Sequence, residues 1–299
     1  MIVAECKDVT KSFGKDKKIV LDKVNMQLEA GNIYALLGRN GAGKTTLLNC
    51  LCTKYLPDSG EICILGEEAY ENEKVLSEIC FMSDHMDVFD IRTVKYILTY
   101  ASTFYEKWNL ELQKRLLEFF GIGMNKLYGD LSKGQQTVIG IIIGLCSGCE
   151  IVLLDEIYSG LDAAARQDFY EILMEEQERC PRTFVLSTHL IEEMTGIFTH
   201  VLILDEGKMI LSEDIETVHS KSFKCVGRAG QESGLSGKNV IAQKEMGTIA
   251  EYVLYDTLTS EERQLLERDG FTVSSISLQD LFIAFTQHEA VRWGEKQWS

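Results

Sequence analysis

The run Gly38-Arg39-Asn40-Gly41-Ala42-Gly43-Lys44-Thr45-Thr46 decides how the rest of the chain is read. Before it stands Ile33-Tyr34-Ala35-Leu36-Leu37, an unbroken apolar run with the character of a buried strand. After it, Leu47-Leu48-Asn49-Cys50-Leu51 reads as a helix closed off before Pro57. Strand, G-x-x-x-x-G-K-T loop, helix is the setting that a phosphate-binding loop requires. Gly38, Gly41 and Gly43 let backbone N–H groups turn inward around a polyphosphate, where a β-carbon would block the approach. A helix starting near Gly43 points its positive end at the same anion. Lys44 offers a cation to the β- and γ-phosphates, and the Thr45 hydroxyl is placed to ligate Mg2+. The stretch implies a nucleoside triphosphate site.

A chain of 299 residues can hold one large domain and an appendage. Its 45% hydrophobic content and two prolines describe a compact fold with an ample core. A net charge of −16 argues against a protein that grips nucleic-acid phosphates. The most apolar stretch, 138–154, is interrupted by Gly140, Gly144, Ser147, Gly148 and Glu150 and does not qualify as a membrane span. The opening Met1-Ile2-Val3-Ala4-Glu5-Cys6-Lys7 lacks the basic start and apolar core of a signal peptide. Nine cysteines without framework spacing read as reduced thiols of a cytosolic protein. Cys146-Ser147-Gly148-Cys149 matches C-x-x-C, but no second pair completes a zinc site.

Along the chain, 2–9 and 24–28 read as antiparallel strands, with Phe13 in the connection between them. Further strands are expected at 61–65 and 79–82. From about 87 to 130 the pattern turns helical: Val94, Ile97, Leu98 and Ala101 share one face, and Leu112, Leu116, Leu117 and Phe120 another. This is read as an inserted helical subdomain. Residues 151–154 form a buried strand tipped by Asp155-Glu156, and 183–187 another with Thr188-His189 at its end. A hairpin follows at 201–204 and 209–211. Glycine, serine and charge gather around 227–239, so a boundary is placed near residue 220, giving domains 1–219 and 220–299. In the second, 249–255 and 272–276 alternate like strands, and Leu278, Leu281, Phe282 and Phe285 share a helix face. The fold class is α/β: a P-loop core with a parallel sheet, an N-terminal antiparallel β subdomain, the helical insertion and a small α+β appendage.

Parallel sheets bind nucleotides at the C-terminal ends of their strands, and those ends carry suitable chemistry here. Asp155 can hold Mg2+ through water, Glu156 can polarise an attacking water, and His189 can hydrogen-bond the γ-phosphate. The order of loop 38–46, Leu131-Ser132-Lys133-Gly134-Gln135, Asp155-Glu156, Ser159-Gly160-Leu161-Asp162 and His189 resembles the ATP-binding subunit of ABC transporters over residues 1 to about 215.

The resemblance implies ATP and Mg2+ as cofactors and a head-to-tail dimer, with itself or with a related subunit. It places Ser132, Gly134 and Gln135 of one subunit on the γ-phosphate held by the other, with Asp162 at the same interface. Phe13 matches the aromatic position that stacks on adenine, and a packed edge-strand aromatic remains open beside it. The resemblance further implies a separate integral membrane permease, no nucleic-acid partner, and a place on the cytoplasmic face of the cell membrane. The tail resembles that of ABC-2 type exporters of drugs, peptides or polysaccharides; an importer ATPase and a soluble ATPase of translation or repair are the alternatives. A cassette that binds ATP without hydrolysing it is the third class. Three positions depart from the family pattern. Asp84 stands where glutamine is usual and is expected to keep a Mg2+ role. Lys133 replaces the middle glycine of the signature, and Ile157-Tyr158 replace Pro-Thr.

Overall fold

The computed structural model describes residues 1–83, 89–158, 160–230 and 232–287. The chain begins with β1 (Ile2–Phe13), β2 (Lys18–Glu29), β3 (Ile33–Leu37), α1 (Lys44–Leu51), β4 (Ser59–Ile64), β5 (Glu67–Glu68), α2 (Glu73–Leu76) and β6 (Ile79–Ser83). It continues through α3 (Val94–Ser102), α4 (Leu110–Phe119), α5 (Lys133–Cys146), β7 (Ile151–Asp155), α6 (Ala163–Arg179), β8 (Thr183–Ser187), α7 (Ile191–Met194), β9 (His200–Asp205) and β10 (Lys208–Asp214). The last stretch comprises α8 (Ile215–Lys221), β11 (Ser222–Arg228), β12 (Val240–Met246), β13 (Ile249–Tyr255), α9 (Ser260–Arg268), β14 (Thr272–Ser275) and α10 (Leu278–Thr286). Two compact units result: Met1–Leu190 with Gly196–Ser212, and Ile191–Thr195 with the chain from Glu213 onward.

The first unit holds two sheets. An antiparallel sheet runs in the order β2-β1-β4-β5. In β2 the buried Val24, Met26 and Leu28 alternate with exposed polar residues, the period a half-buried strand requires. The strands run further than the sequence suggests, because bulges absorb their irregular register around Cys6–Val9 and Val9–Lys11. The hairpin therefore closes over residues 14–17, and Phe13 ends β1 opposite Lys18 instead of lying in the connection.

The second sheet is ordered β10-β9-β3-β8-β7-β6, and β3, β6, β7, β8 and β9 are parallel. Strands β3, β7 and β8 are buried at every position, which explains the apolar runs 33–37, 151–154 and 184–186 within them. Register sets the site: Leu36 pairs with Ser187, and Ser187 with Asp155. The C-terminal ends of three adjacent strands thus finish level, and loop 38–46 leaves from the middle one of the β9-β3-β8 trio.

Between β6 and α5 the described residues include the short helices α3 and α4, capped by Thr93 and Asn109, whose side chains accept the Tyr96 and Leu112 N–H groups. Their buried faces, Val94, Ile97 and Leu98 in α3 and Leu112, Leu116 and Leu117 in α4, follow the expected stripes. Helix α5 is apolar all round and buried from Thr137 to Cys146, because α3 and α4 pack on one side and β6 and β7 on the other. Gly144 lets it approach the sheet: a β-carbon there would meet Leu154 and Val152 at 3.3 Å. Buried Arg182 donates to the Gly144 and Leu145 carbonyls at the end of α5, at 3.5 and 3.0 Å.

The second unit is an antiparallel sheet ordered β12-β13-β11-β14 with α9 on its core of Cys225, Tyr252, Leu254, Leu266 and Phe271. Of its strands, β11 and β12 are absent from the sequence reading, as is α9. Edge strand β12 buries none of its residues fully and α9 buries only Leu266, so neither carries a clear hydrophobic period. The glycine-rich stretch does more than link: β-carbons at Gly227 and Gly234 would meet the Phe271 ring at 2.6 and 2.9 Å.

Candidate functional site

Loop 38–46 encloses space with backbone alone. Gly41 and Gly43 take φ of 83° and 109°, in the region that favours glycine. A β-carbon at Gly38 would meet the Leu204 carbonyl oxygen at 2.6 Å, and one at Gly43 the Val20 carbonyl oxygen at 2.9 Å. The buried Ala42 accepts a hydrogen bond from Gly207 N–H at 3.0 Å, which pins the loop to the β9–β10 turn. Beside the loop lies a cleft of about 330 Å3 lined by Val20, Arg39, Asn40, Lys44, Thr46 and Glu156 among others. Lys44 is buried; its Nζ donates to the Gly38 carbonyl at 2.7 Å and stands 3.9 Å from Glu156 Oε1. A triphosphate can draw this ammonium from a neutral carbonyl, since a charge-assisted bond is the stronger.

Thr45 donates its hydroxyl to Asp155 Oδ2 at 2.7 Å across from β7. The other oxygen, Asp155 Oδ1, is buried with no hydrogen-bond partner. Burying a carboxylate oxygen without a partner is costly, and a hard cation bound by oxygen ligands satisfies it. No group of three or more His, Cys, Asp or Glu able to hold a metal occurs among the described residues.

Glu156 follows Asp155 with φ of 54°, a left-handed backbone rarely held by a residue with a side chain. Its N–H donates to the Ser187 carbonyl at 3.2 Å. His189, two residues past that carbonyl, brings Nδ1 to 2.6 Å from Glu156 Oε2. Glu156 therefore lies between a lysine and a histidine, at the wall of the cleft.

Other sequence-predicted residues stand apart from this cleft. Ser132 caps α5: its Oγ accepts the Gln135 N–H at 3.2 Å, while Gln135 Oε1 accepts the Ser132 N–H at 3.3 Å. Asp162 caps α6 by accepting the Ala165 N–H at 2.9 Å. A β-carbon at Gly134 would meet the Gly160 carbonyl oxygen at 3.2 Å, so the α5 tip and the turn before α6 touch. Ser132, Gly134, Gln135 and Asp162 do not line the cleft beside loop 38–46. Phe13 does not line it either; its ring packs edge-on against Tyr55 at 5.3 Å with Lys11 over it. Asp84 and Ser159 lie outside the described residues. Val20 in the cleft wall and Asn49, which donates to the Thr45 carbonyl at 2.6 Å, were not legible in the sequence, being single residues inside ordinary strand and helix patterns. The C-x-x-C thiols are inert by contrast: burial pushes Cys146 and Cys149 up to about 12.

A strained acid, a buried lysine and a glycine loop at the ends of parallel strands define a nucleoside triphosphatase of the P-loop kind. The profile described as ABC transporter matches residues 21–159. An ABC transporter ATP-binding protein of Methanocaldococcus jannaschii is 34% identical over 222 residues, spanning 72% of this chain and 78% of its own. The bacitracin transport ATP-binding protein of Bacillus licheniformis is 30% identical over 217 residues, 72% of this chain and 70% of its own. A solved structure described as the ATP-binding subunit of an ABC transporter superposes with a TM-score of 0.65 at 22% identity, covering 73% of this chain and 92% of that one. The chain belongs to the ABC transporter ATP-binding family: it is an ATP-binding subunit of a transporter and an ATPase. Subunits of this family pair with membrane permease components and dimerise. No helix among the described residues is long and apolar enough to cross a membrane.

Proposed function

We propose that the chain powers export of a drug, peptide or polysaccharide through a separate integral membrane subunit, from the cytoplasmic face of the cell membrane. Support for the direction comes from the additional unit from Glu213, whose sequence resembles the tail of ABC-2 type exporters; the similar proteins include a bacitracin transport protein and, at similar identity, methionine and sulfate/thiosulfate import proteins. The observation that carries the hydrolytic reading is the convergence of Lys44, Thr45–Asp155 and Glu156–His189 at the ends of β3, β7 and β8.

The backbone of loop 38–46, with Arg39, Asn40 and Thr46, cradles the phosphates, and Lys44 neutralises the β- and γ-oxygens. Thr45 and Asp155 hold Mg2+, which when bound neutralises charge on the phosphate oxygens; Asp84 is proposed to share this role. Glu156 accepts the proton of the attacking water, and His189 orients the carboxylate and hydrogen-bonds the γ-phosphate. Phe13, at the C-terminal end of β1, stacks on adenine. Ser132, Gly134 and Gln135 lie away from the chain's own cleft, which supports their use on the nucleotide of a second subunit, identical or related, with Asp162 at the join. A stripe of exposed aromatics along α3 and just past its end, where Tyr96 stacks on Tyr100 and Tyr100 meets Phe104, supports docking of the permease on the helical segment.

Two measurements test this. Phosphate release with Glu156→Gln as the control should be abolished in the variant; equal rates in both proteins would refute the assignment of the base. Detergent-dependent capture of an integral membrane protein, with no nuclease-sensitive association, is the expected co-purification, and vesicles containing the pair should expel cargo from the ATP side. Movement of cargo toward the ATP side instead would make the protein an importer subunit.

A further inference from the structure

The position after Glu156-Ile157 holds a tyrosine that the mechanism above does not use. Tyr158 is fully buried, and its hydroxyl donates to the Ser187 carbonyl. The same carbonyl accepts the Glu156 N–H. Two donors separated by one residue thus converge on a single oxygen at the end of β8, two residues before His189. Ser187 itself is locked in register with Asp155 on one side and Leu36 on the other. The carbonyl is therefore a fixed point of the sheet, while the turn it receives is not regular: Glu156 holds its left-handed φ of 54°. Such a conformation persists where the surroundings over-determine it. Burial raises the phenol well above its ordinary pKa, so the hydroxyl remains a donor at every working pH.

We propose that Tyr158 is a positioning residue for hydrolysis: its hydroxyl ties the turn bearing Glu156 to the end of β8 and keeps the carboxylate between Lys44 and His189. The inference rests on the reading of Glu156 as the general base. It goes beyond that reading by giving a reason for an aromatic hydroxyl at this place. A ring alone would fill the same core. Without the hydroxyl the Glu156 N–H still satisfies the carbonyl, so the fold keeps its buried polar partner, but one of two tethers on the strained turn is gone. The carboxylate then samples positions away from the 2.6 Å contact with His189 and spends less time where it can accept a proton from water.

The test compares full-length wild type, Tyr158→Phe and a variant with p-aminophenylalanine at 158, which restores a donor on the same ring. Tyr158→Phe should lower kcat roughly five- to tenfold, the size of one lost hydrogen bond acting on the transition state. KM for ATP should stay within about twofold of wild type, because ground-state binding is untouched. The amino variant should recover most of the rate. An unchanged kcat, a loss that the amino donor does not restore, or unfolding of Tyr158→Phe at assay temperature would each overturn the proposal, the last by marking the hydroxyl as structural. Glu156→Gln is run alongside. If it is inactive while Tyr158→Phe matches wild type, only the positioning role fails; if it turns over like wild type, the base assignment fails and takes the positioning role with it.

Discussion

Gly41 and Gly43 lie in the same loop, both with positive φ, yet the structure separates what a methyl group costs at each. At Gly41 an added β-carbon meets nothing within 4 Å, so Gly41→Ala incurs only the left-handed backbone penalty, about 1–2 kcal/mol. At Gly43 the φ of 109° adds the same penalty, and the β-carbon falls 2.9 Å from both the Val20 carbonyl oxygen and Leu21 Cδ2. A leucine methyl can turn aside, but a backbone oxygen in a sheet cannot, and relieving such overpacking costs a further ~1–3 kcal/mol. Gly43→Ala is therefore expected to lose about 2–5 kcal/mol against about 1–2 for Gly41→Ala. Urea unfolding of the two variants without nucleotide measures the difference as a shift in midpoint at constant slope. Fluorescent ATP titration of the same proteins should show the opposite emphasis for Gly41→Ala, whose methyl stands on the wall of the cleft: weaker binding with little loss of fold. Unfolding free energies for the two variants within about 0.5 kcal/mol of each other would refute the reasoning that the Val20 carbonyl of β2 blocks a methyl group at Gly43.

Asp58 gives a pH prediction. Its carboxylate accepts from the Ser12 hydroxyl and N–H and from Lys11 Nζ, at 2.5, 2.6 and 3.0 Å, and these bonds lower it from 3.8 to about 2. A depressed acid stabilises the fold above its unfolded pKa and loses that contribution as pH falls through the folded value. The Tm gap between wild type and Asp58→Asn should be full at pH 6 and shrink between pH 3.8 and about 2; a gap constant across that window would exclude the role. For the thiols, native iodoacetamide labelling at neutral pH should reach exposed Cys180 first and leave Cys146 and Cys149 unmodified, read by peptide mass spectrometry. Early modification of either buried thiol would show that the end of α5 opens.

Much of this was written in the chain because the physics is local. A glycine loop between an apolar strand and a helix, caps at Ser132 and Asp162, and acids at the ends of hydrophobic runs need only neighbours in sequence to be read. The same locality hides the rest. Phe13 has the sequence surroundings of a loop residue because bulges break the alternation that would carry β1 to its end. Strand β12 and helix α9 leave no clear pattern because neither buries a regular face.

The amino-acid sequence by itself determined the phosphate loop, the order of its motifs and the parallel core, since each depends on spacings of a few residues. Tertiary structure alone decided that Ser187 pairs with Asp155 and Leu36, and that its carbonyl gathers both Glu156 and Tyr158. It also decided that Asp155 spends one oxygen on Thr45 and keeps the other buried. Those facts depend on strand register between segments more than thirty residues apart, and register is fixed by packing across the whole sheet, which no stretch of sequence states alone.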